Sequence, residues 1–196
     1  MAQSLTKKQL KELPVMPYNK IRDQLATGYI FFSSGSYAFS GVIQRLTKSV
    51  WSHVAIIYKD AELARVMVLE AEPRIGIRLI PVSKYLRDYK GTKRAYKGQV
   101  VLAKLNFDLE HEKLNKAISF GLDELTRPYD NWEIVRIMMR ILWRIGKREK
   151  NKNYICSELV RDAFAKAGVV FPMNDTYISP QEIWKDPRVE FKYRIL

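Results

Sequence analysis

Three side chains in this 196-residue chain are of types that can pass a proton and form a covalent bond together: His53, Glu70 and Cys156. Cys156 is the sole cysteine and His53 one of two histidines, so thiol chemistry has one possible centre and imidazole chemistry two. In Tyr154-Ile155-Cys156-Ser157-Glu158-Leu159-Val160 the cysteine precedes an amphipathic segment whose Leu159, Val160, Ala163, Phe164 and Ala167 share a face. The spacing predicts a helix from about Ser157 to Ala167, ended by Gly168 as a C-terminal cap. A thiol at a helix start feels the positive end of the backbone dipole, and a neighbouring imidazolium favours thiolate further. That is the requirement for a cysteine nucleophile.

His53 lies in Trp51-Ser52-His53-Val54-Ala55-Ile56-Ile57-Tyr58, where strand alternation puts His53, Ala55 and Ile57 on one face and Val54, Ile56 and Tyr58 on the other. The next apolar run ends in Val68-Leu69-Glu70-Ala71. A hairpin with Tyr58 opposite Arg65 sets His53 opposite Glu70, with Cβ atoms roughly 4.5 to 5.5 Å apart, so the carboxylate can hold an imidazole N–H. Glu72, two residues further along the same face, is the alternative partner. An ordinary reading stands beside the catalytic one: a lone cysteine is commonly a small buried hydrophobe, and a strand histidine commonly only packs and hydrogen-bonds. His111, in Asp108-Leu109-Glu110-His111-Glu112-Lys113, opens a polar helix and reads as a solvated surface residue.

The scarce residues exclude several chemistries. A single cysteine leaves no internal disulfide, no redox cysteine pair and no cysteine-rich zinc site, and is consistent with a reducing compartment. His111-Glu112 is followed by Asn115 where a metalloprotease motif has its second histidine, and neither a GxGxxG nor a GxxxxGK[ST] phosphate loop occurs. The residues therefore call for no metal and no cofactor.

The elements that must position the three side chains are legible in outline. Residues 1 to 26 form a polar, helix-prone lead, punctuated by Pro14 and Pro17, and either a mobile tail or a docking arm. From residue 27 onward one domain runs to residue 196. β-prone runs over Tyr29–Ser33, Ser52–Tyr58, Val66–Ala71, Ile75–Pro81 and Val100–Leu105 predict an antiparallel sheet of about five strands. After Asp108 the period turns helical, with Leu109, Leu114, Ala117, Ile118 and Leu122 on one face; a second helix follows Tyr129-Asp130 and the cysteine helix is the third. Strands followed by helices define an α+β domain.

Gly28-Tyr29-Ile30-Phe31-Phe32, then Trp51-Ser52-His53-Val54, Leu69-Glu70-Ala71, Arg127-Pro128-Tyr129-Asp130 and Tyr154-Ile155-Cys156-Ser157-Glu158-Leu159-Val160, with the late Ile178-Ser179-Pro180-Gln181, resemble the circularly permuted papain-like hydrolases. The pattern is most similar to the YiiX-like branch of the NlpC-type superfamily, akin to lecithin retinol acyltransferase relatives, and covers about residues 27 to 184. That family runs His, carboxylate, Cys, as this chain does. The resemblance implies a permuted papain-like fold, with Cys156 as nucleophile, His53 as general base, Glu70 orienting the imidazole and Tyr129 lining the substrate site. It further implies acyl transfer from amide bonds, with ester or lipid acyl substrates as alternatives. Two positions depart from the family pattern: Tyr29 stands where Asp is common after the first glycine, and Ala55 where Gly is common after His-Val. Both bear on pocket shape rather than on the three reactive groups.

Lys and Arg exceed Asp and Glu by 34 to 21, giving a net charge of +13, which implies attraction to something anionic. No nucleic-acid recognition motif accompanies it, so no nucleic-acid partner is expected. With no signal peptide and no apolar run of the ~20 residues a membrane span needs, the expected location is cytoplasmic. Residues 134 to 148 carry Arg136, Arg140, Arg144 and Arg148 at a four-residue spacing on an otherwise apolar helical pattern. That stripe suits an anionic membrane surface, a core helix with a wet side or a self-association surface. A non-catalytic binding module on the same fold, and a protein that binds nucleic acid through its charge, are the rival functional readings.

Overall fold

Why the apolar alternation after Gly28 becomes a sheet is visible in what each strand face meets. A computed structural model describes residues 4–36, 38–72, 75–127, 156–172 and 178–196. Strands β1 (Ile30–Gly35), β2 (His53–Asp60), β3 (Arg65–Glu72), β4 (Gly76–Pro81), β5 (Gly98–Leu105) and β6 (Val189–Arg194) form one antiparallel sheet in the order β4-β3-β2-β1-β5-β6. The five expected strands are present within two residues of their expected limits, and β6 adds a sixth on the β5 edge.

Alternation divides the sheet's side chains between two cores. Ile30, Phe32, Val54, Ile56, Leu69 and Ala71 face helices α5 (His111–Asp123), α6 (Cys156–Lys166) and α7 (Pro180–Lys185). Phe31, Ala55, Ile57, Val66 and Val68 face the other way, toward α2 (Tyr18–Ile21), α4 (Val82–Arg87) and the turn region holding Tyr89 and Tyr96. Helix α5 lies close enough to β3 that a Cβ at Gly121 would sit 2.3 Å from Leu69 Cδ2, so this crossing needs glycine or a shift of the leucine. The expected cap on α6 is present: Gly168 takes φ +82, its N–H donates to the Ala165 carbonyl, and Val169 N–H donates to Phe164.

The lead is fastened along the β6 edge. Helix α1 (Lys7–Glu12) buries Leu10 fully, Val15 bridges Arg194, and Met16 N–H donates to the Arg194 carbonyl at 2.7 Å. The helix α3 (Ala38–Leu46) connects β1 to β2, and Gln44 on it donates to Val50 O and Gly35 O, fixing the chain just ahead of His53. Among the described residues no helix is long and apolar enough to cross a membrane. The second expected helix and the arginine stripe of 134 to 148 lie outside the described residues.

An aromatic trio ties α7 to the residues that lead into β2. Trp184 meets Phe32 edge-on at 5.2 Å and Trp51 at 4.8 Å, and Trp51 lies 5.3 Å from Phe32. All three are buried, so removing one leaves a cavity that its rigid neighbours cannot fill. Trp184→Ala is expected to lower stability by about 3–5 kcal/mol, read as a lower urea midpoint at an unchanged denaturant slope.

Candidate active site

His53 is the first residue of β2, and the polar residues around it fix where that strand begins. Ser52 N–H donates to the Ser33 carbonyl at 2.9 Å, Ser52 Oγ accepts from Gly35 N–H at 3.0 Å, and Trp51 N–H donates to Ser49 Oγ at 2.9 Å. His53 itself pairs with Ser33 across the β1–β2 ladder. Its side chain is 12% exposed, and Nε2 lies 2.7 Å from Glu70 Oε2, a carboxylate with no exposed surface.

The hairpin that delivers Glu70 has a different register from the expected one. Asp60, not Tyr58, faces Arg65, and Ile56 faces Leu69. The turn is tighter because Asp60 Oδ1 accepts from Leu63 N–H at 2.8 Å and Ala64 adopts φ +47. The slip is two residues, an even number, so every side chain keeps its face. Glu70 thus reaches His53 as a diagonal neighbour rather than as a directly opposed one.

Glu70 is satisfied on both oxygens. Oε1 accepts from Arg78 Nε at 2.8 Å and ion-pairs with Nη2 at 2.7 Å; Oε2 accepts from Tyr85 Oη at 2.5 Å as well as meeting His53. Arg78 stands opposite Glu70 in the β3–β4 ladder, and Tyr85 comes from α4. Glu72, the alternative partner, does not serve the imidazole: it meets Arg78 Nη2 at 3.5 Å and accepts from Lys90 Nζ at 2.5 Å. Neither Arg78 nor Tyr85 was marked by sequence pattern. Arg78 could have been found by carrying the hairpin reading one strand further, whereas nothing local points Tyr85 at a carboxylate.

Cys156 opens α6, is partly exposed and forms no disulfide. Its side chain lies beside the His53 imidazole and favours the ring's charged form. With Nε2 engaged by Glu70, Nδ1 is the ring nitrogen that can serve the sulfur. The next residue locks the helix start, because Ser157 Oγ donates to the Ile178 carbonyl at 2.6 Å. Ile178 leads into α7, whose Ser179 accepts from Glu182 N–H while the Glu182 carboxylate accepts from Ser179 N–H. Gln181 Oε1 in turn accepts from Ser49 Oγ at 2.7 Å, so one late segment braces both the cysteine helix and the loop before His53. His111 sits exposed at the start of α5, its Nδ1 3.1 Å from Asn115 Nδ2, away from this cluster. Tyr129 lies outside the described residues.

The electrostatics follow from burial and contact. Burial opposes charge on His53, but the close contacts with Cys156 and Glu70 and the Coulombic pull of both outweigh it, lifting the imidazole to about 10. Burial pushes Glu70 the other way, yet the His53 contact and the Arg78 and Tyr85 partners hold the carboxyl down to about 2. Burial first, and then the adjacent Glu70 charge, raise the Tyr85 hydroxyl well above its ordinary value, so it stays a donor. At neutral pH the centre is an imidazolium between a sulfur and a carboxylate.

A cysteine opening a helix, a histidine on the adjoining sheet and a carboxylate behind it, with the histidine earlier in the chain, match the arrangement of the permuted papain-like class. The model of the permuted papain-like amidase enzymes of the YaeF/YiiX, C92 family matches residues 24–192, and the chain belongs to that family. The crystal structure of the metalloprotein yiiX from Escherichia coli O157:H7 aligns with a TM-score of 0.64 at 19% identity, over 87% of this chain and 98% of that one. It shares the fold. No curated protein matches the chain. Among the described residues no three His, Cys, Asp or Glu side chains are grouped to hold a metal ion, and both Glu70 oxygens are already taken by Arg78, Tyr85 and His53. These described residues do not fit a metal centre.

The two shifted groups make stability depend on pH in opposite directions. The folded imidazole binds its proton more tightly than the unfolded one, so its contribution is whole below pH 6.5 and fades as pH climbs toward about 10. Glu70 contributes fully above pH 4.5 and loses that contribution as pH falls toward about 2. Urea midpoints measured from pH 3 to 10 are expected to fall on both sides of the window bounded by 4.5 and 6.5. Glu70→Gln should flatten both flanks relative to the native protein.

Proposed function

We infer that the protein hydrolyses an amide or ester bond through an acyl-enzyme, with Cys156 as nucleophile, His53 as general base and Glu70 orienting the imidazole. The observation that carries this reading is the single imidazole held at 2.7 Å by a buried, fully partnered carboxylate and influenced on its other side by the Cys156 side chain. Membership of a permuted papain-like amidase family supports the same class of chemistry.

In the first half-reaction the proton given up by the Cys156 thiol already rests on His53, and Sγ attacks the substrate carbonyl, forming a C–S bond while the carbonyl electron pair moves onto oxygen. The backbone N–H of Cys156, unpartnered within its helix because it lies in the first turn, is the natural donor to that oxyanion. Collapse of the intermediate expels the amine or alcohol, which takes its proton from His53. In the second half, His53 accepts a proton from water as the oxygen attacks the thioester, and the C–S bond breaks to restore the sulfur. If an alcohol or amine replaces water, the same cycle is an acyl transfer. Glu70 keeps the ring aimed throughout, since its Nε2 contact fixes rotation about the Cβ–Cγ bond.

The test combines reactivity with turnover. Iodoacetamide at pH 6.5 should alkylate Cys156 in the native protein faster than in the urea-unfolded protein, and His53→Ala should lose that advantage. Against p-nitrophenyl acetate and aminoacyl p-nitroanilides, Cys156→Ala should abolish hydrolysis and His53→Ala should reduce it by about 10²-fold or more. Equal alkylation in all three samples, or hydrolysis that survives Cys156→Ala, would overturn the reading.

A further inference from the structure

Behind the imidazole the charged groups continue in a line of alternating sign: His53, Glu70, Arg78, Glu72 and Lys90, ending at a lysine that is 45% exposed. Arg78 stands between two carboxylates. Its Nε–H donates to Glu70 Oε1 at 2.8 Å and its Nη2 ion-pairs with the same oxygen at 2.7 Å, against a 3.5 Å contact with Glu72 Oε2. Lys90 explains the asymmetry, because its Nζ occupies Glu72 Oε1 at 2.5 Å and supplies the positive charge that Glu72 would otherwise draw from Arg78. Lys90 holds this place in a left-handed backbone conformation, φ +55, with its ammonium 5.4 Å from the centre of the Tyr89 ring.

We propose that Arg78 is a positioning residue for the site, held on Glu70 by the Glu72–Lys90 pair, and that it sets the pH range over which His53 can act. This rests on the catalytic reading of Cys156 and His53. With Arg78 on Oε1, the other carboxylate oxygen is turned toward Tyr85 and His53, which fixes the direction of the contact to the ring. A directed guanidinium N–H on Oε1 fixes that oxygen's position in a way a rotating ammonium does not. Arg78 also keeps Glu70 ionised, as does the His53 contact. The groups that face Glu70 are His53 from β2, Arg78 from β4 and Tyr85 from α4, with Glu72 and Lys90 reaching it through Arg78 and Cys156 through His53.

The test uses the whole chain in a His111→Gln background, which leaves His53 as the single histidine and its ring signals assignable by NMR. Arg78→Met, Arg78→Lys and Lys90→Met are compared with the parent by urea midpoint, by ring titration of His53 and by the iodoacetamide rate of Cys156 from pH 3.5 to 9. In Arg78→Met the acid limb of the alkylation profile should move upward by about one pH unit or more, since an adjacent guanidinium lowers a carboxyl by about 1–3 units. Lys90→Met should move it in the same direction by less. Arg78→Lys should keep the limb near its native position while the rate on the plateau falls, because the charge remains and the directed Nε–H donor to Oε1 is lost. An Arg78→Met protein that folds and shows the parent's limb and ring titration overturns the proposal. Should that variant not fold, the exposed Lys90 decides: a profile and a titration identical to the parent's overturn it equally. If His53→Ala alkylates as the native protein does, the nucleophile reading fails instead, and the ring titration still judges Arg78.

Discussion

A carboxylate with no contact with water stays ionised only if its lone pairs are answered by donors, and the arrangement around Glu70 is organised by that demand. Its partners come from three different elements: His53 from β2, Arg78 from β4 and Tyr85 from α4. Each of those elements is therefore tied to β3 by a charged hydrogen bond as well as by apolar packing. Loss of any one partner leaves a buried charge short of a donor, which costs more than the bond itself is worth, because the remaining groups cannot turn to solvent. The imidazole benefits from this constraint. A carboxylate already anchored on its far oxygen presents its near oxygen in a fixed place, so the ring is aimed by the sheet rather than by its own rotamer preference.

The opposite side of the imidazole is fixed by a segment remote in sequence. Ser157 is tied to Ile178, and Gln181 to Ser49, so the start of α6 and the loop before β2 are braced against the same short helix. Helix α7 can serve as a brace because its own first turn is closed by a reciprocal Ser179–Glu182 cap with Pro180 behind it, and because Trp184 is wedged against Trp51 and Phe32. The motif around residues 178 to 181 thus has a mechanical meaning that carries no chemistry of its own. It braces the helix that carries the sulfur and the loop that leads to the ring.

Much of this was legible in the sequence, and what was hidden follows a pattern. Strand alternation gave the five strands and the face on which His53 and Glu70 lie, and the amphipathic run after Cys156 gave α6 with its Gly168 cap, because each of these is a local signal. The β2–β3 register was not local: it depended on Asp60 folding its side chain back onto Leu63 N–H, and a symmetric loop placed the pairing two residues away. Parity protected the result, since an even slip preserves faces. Strand β6 carries a readable alternation, Val189-Glu190-Phe191-Lys192-Tyr193-Arg194, but it lies far along the chain from its partner β5, so nothing nearby announces the pairing. Tyr85 was invisible for the same reason, as a helix residue becomes a carboxylate partner only once α4 is laid across the sheet.

The placement of the reactive pair at element ends has a geometric cause. His53 and Glu70 belong to the sheet face that carries Ala55, Ile57 and Val68, whereas Cys156 packs with the core on the opposite face, beneath α5 and α6. In the middle of a strand the sheet itself would separate two such side chains, since neighbouring residues point to opposite sides and their partners stand across the backbone layer. Only beyond the end of a strand can a side chain from one face meet the terminus of a helix lying on the other. His53 is the first residue of β2 and Cys156 the first of α6, so both stand at that boundary. The topology thereby joins an imidazole–carboxylate pair, built into the sheet, to a thiol whose surroundings are those of a helix start.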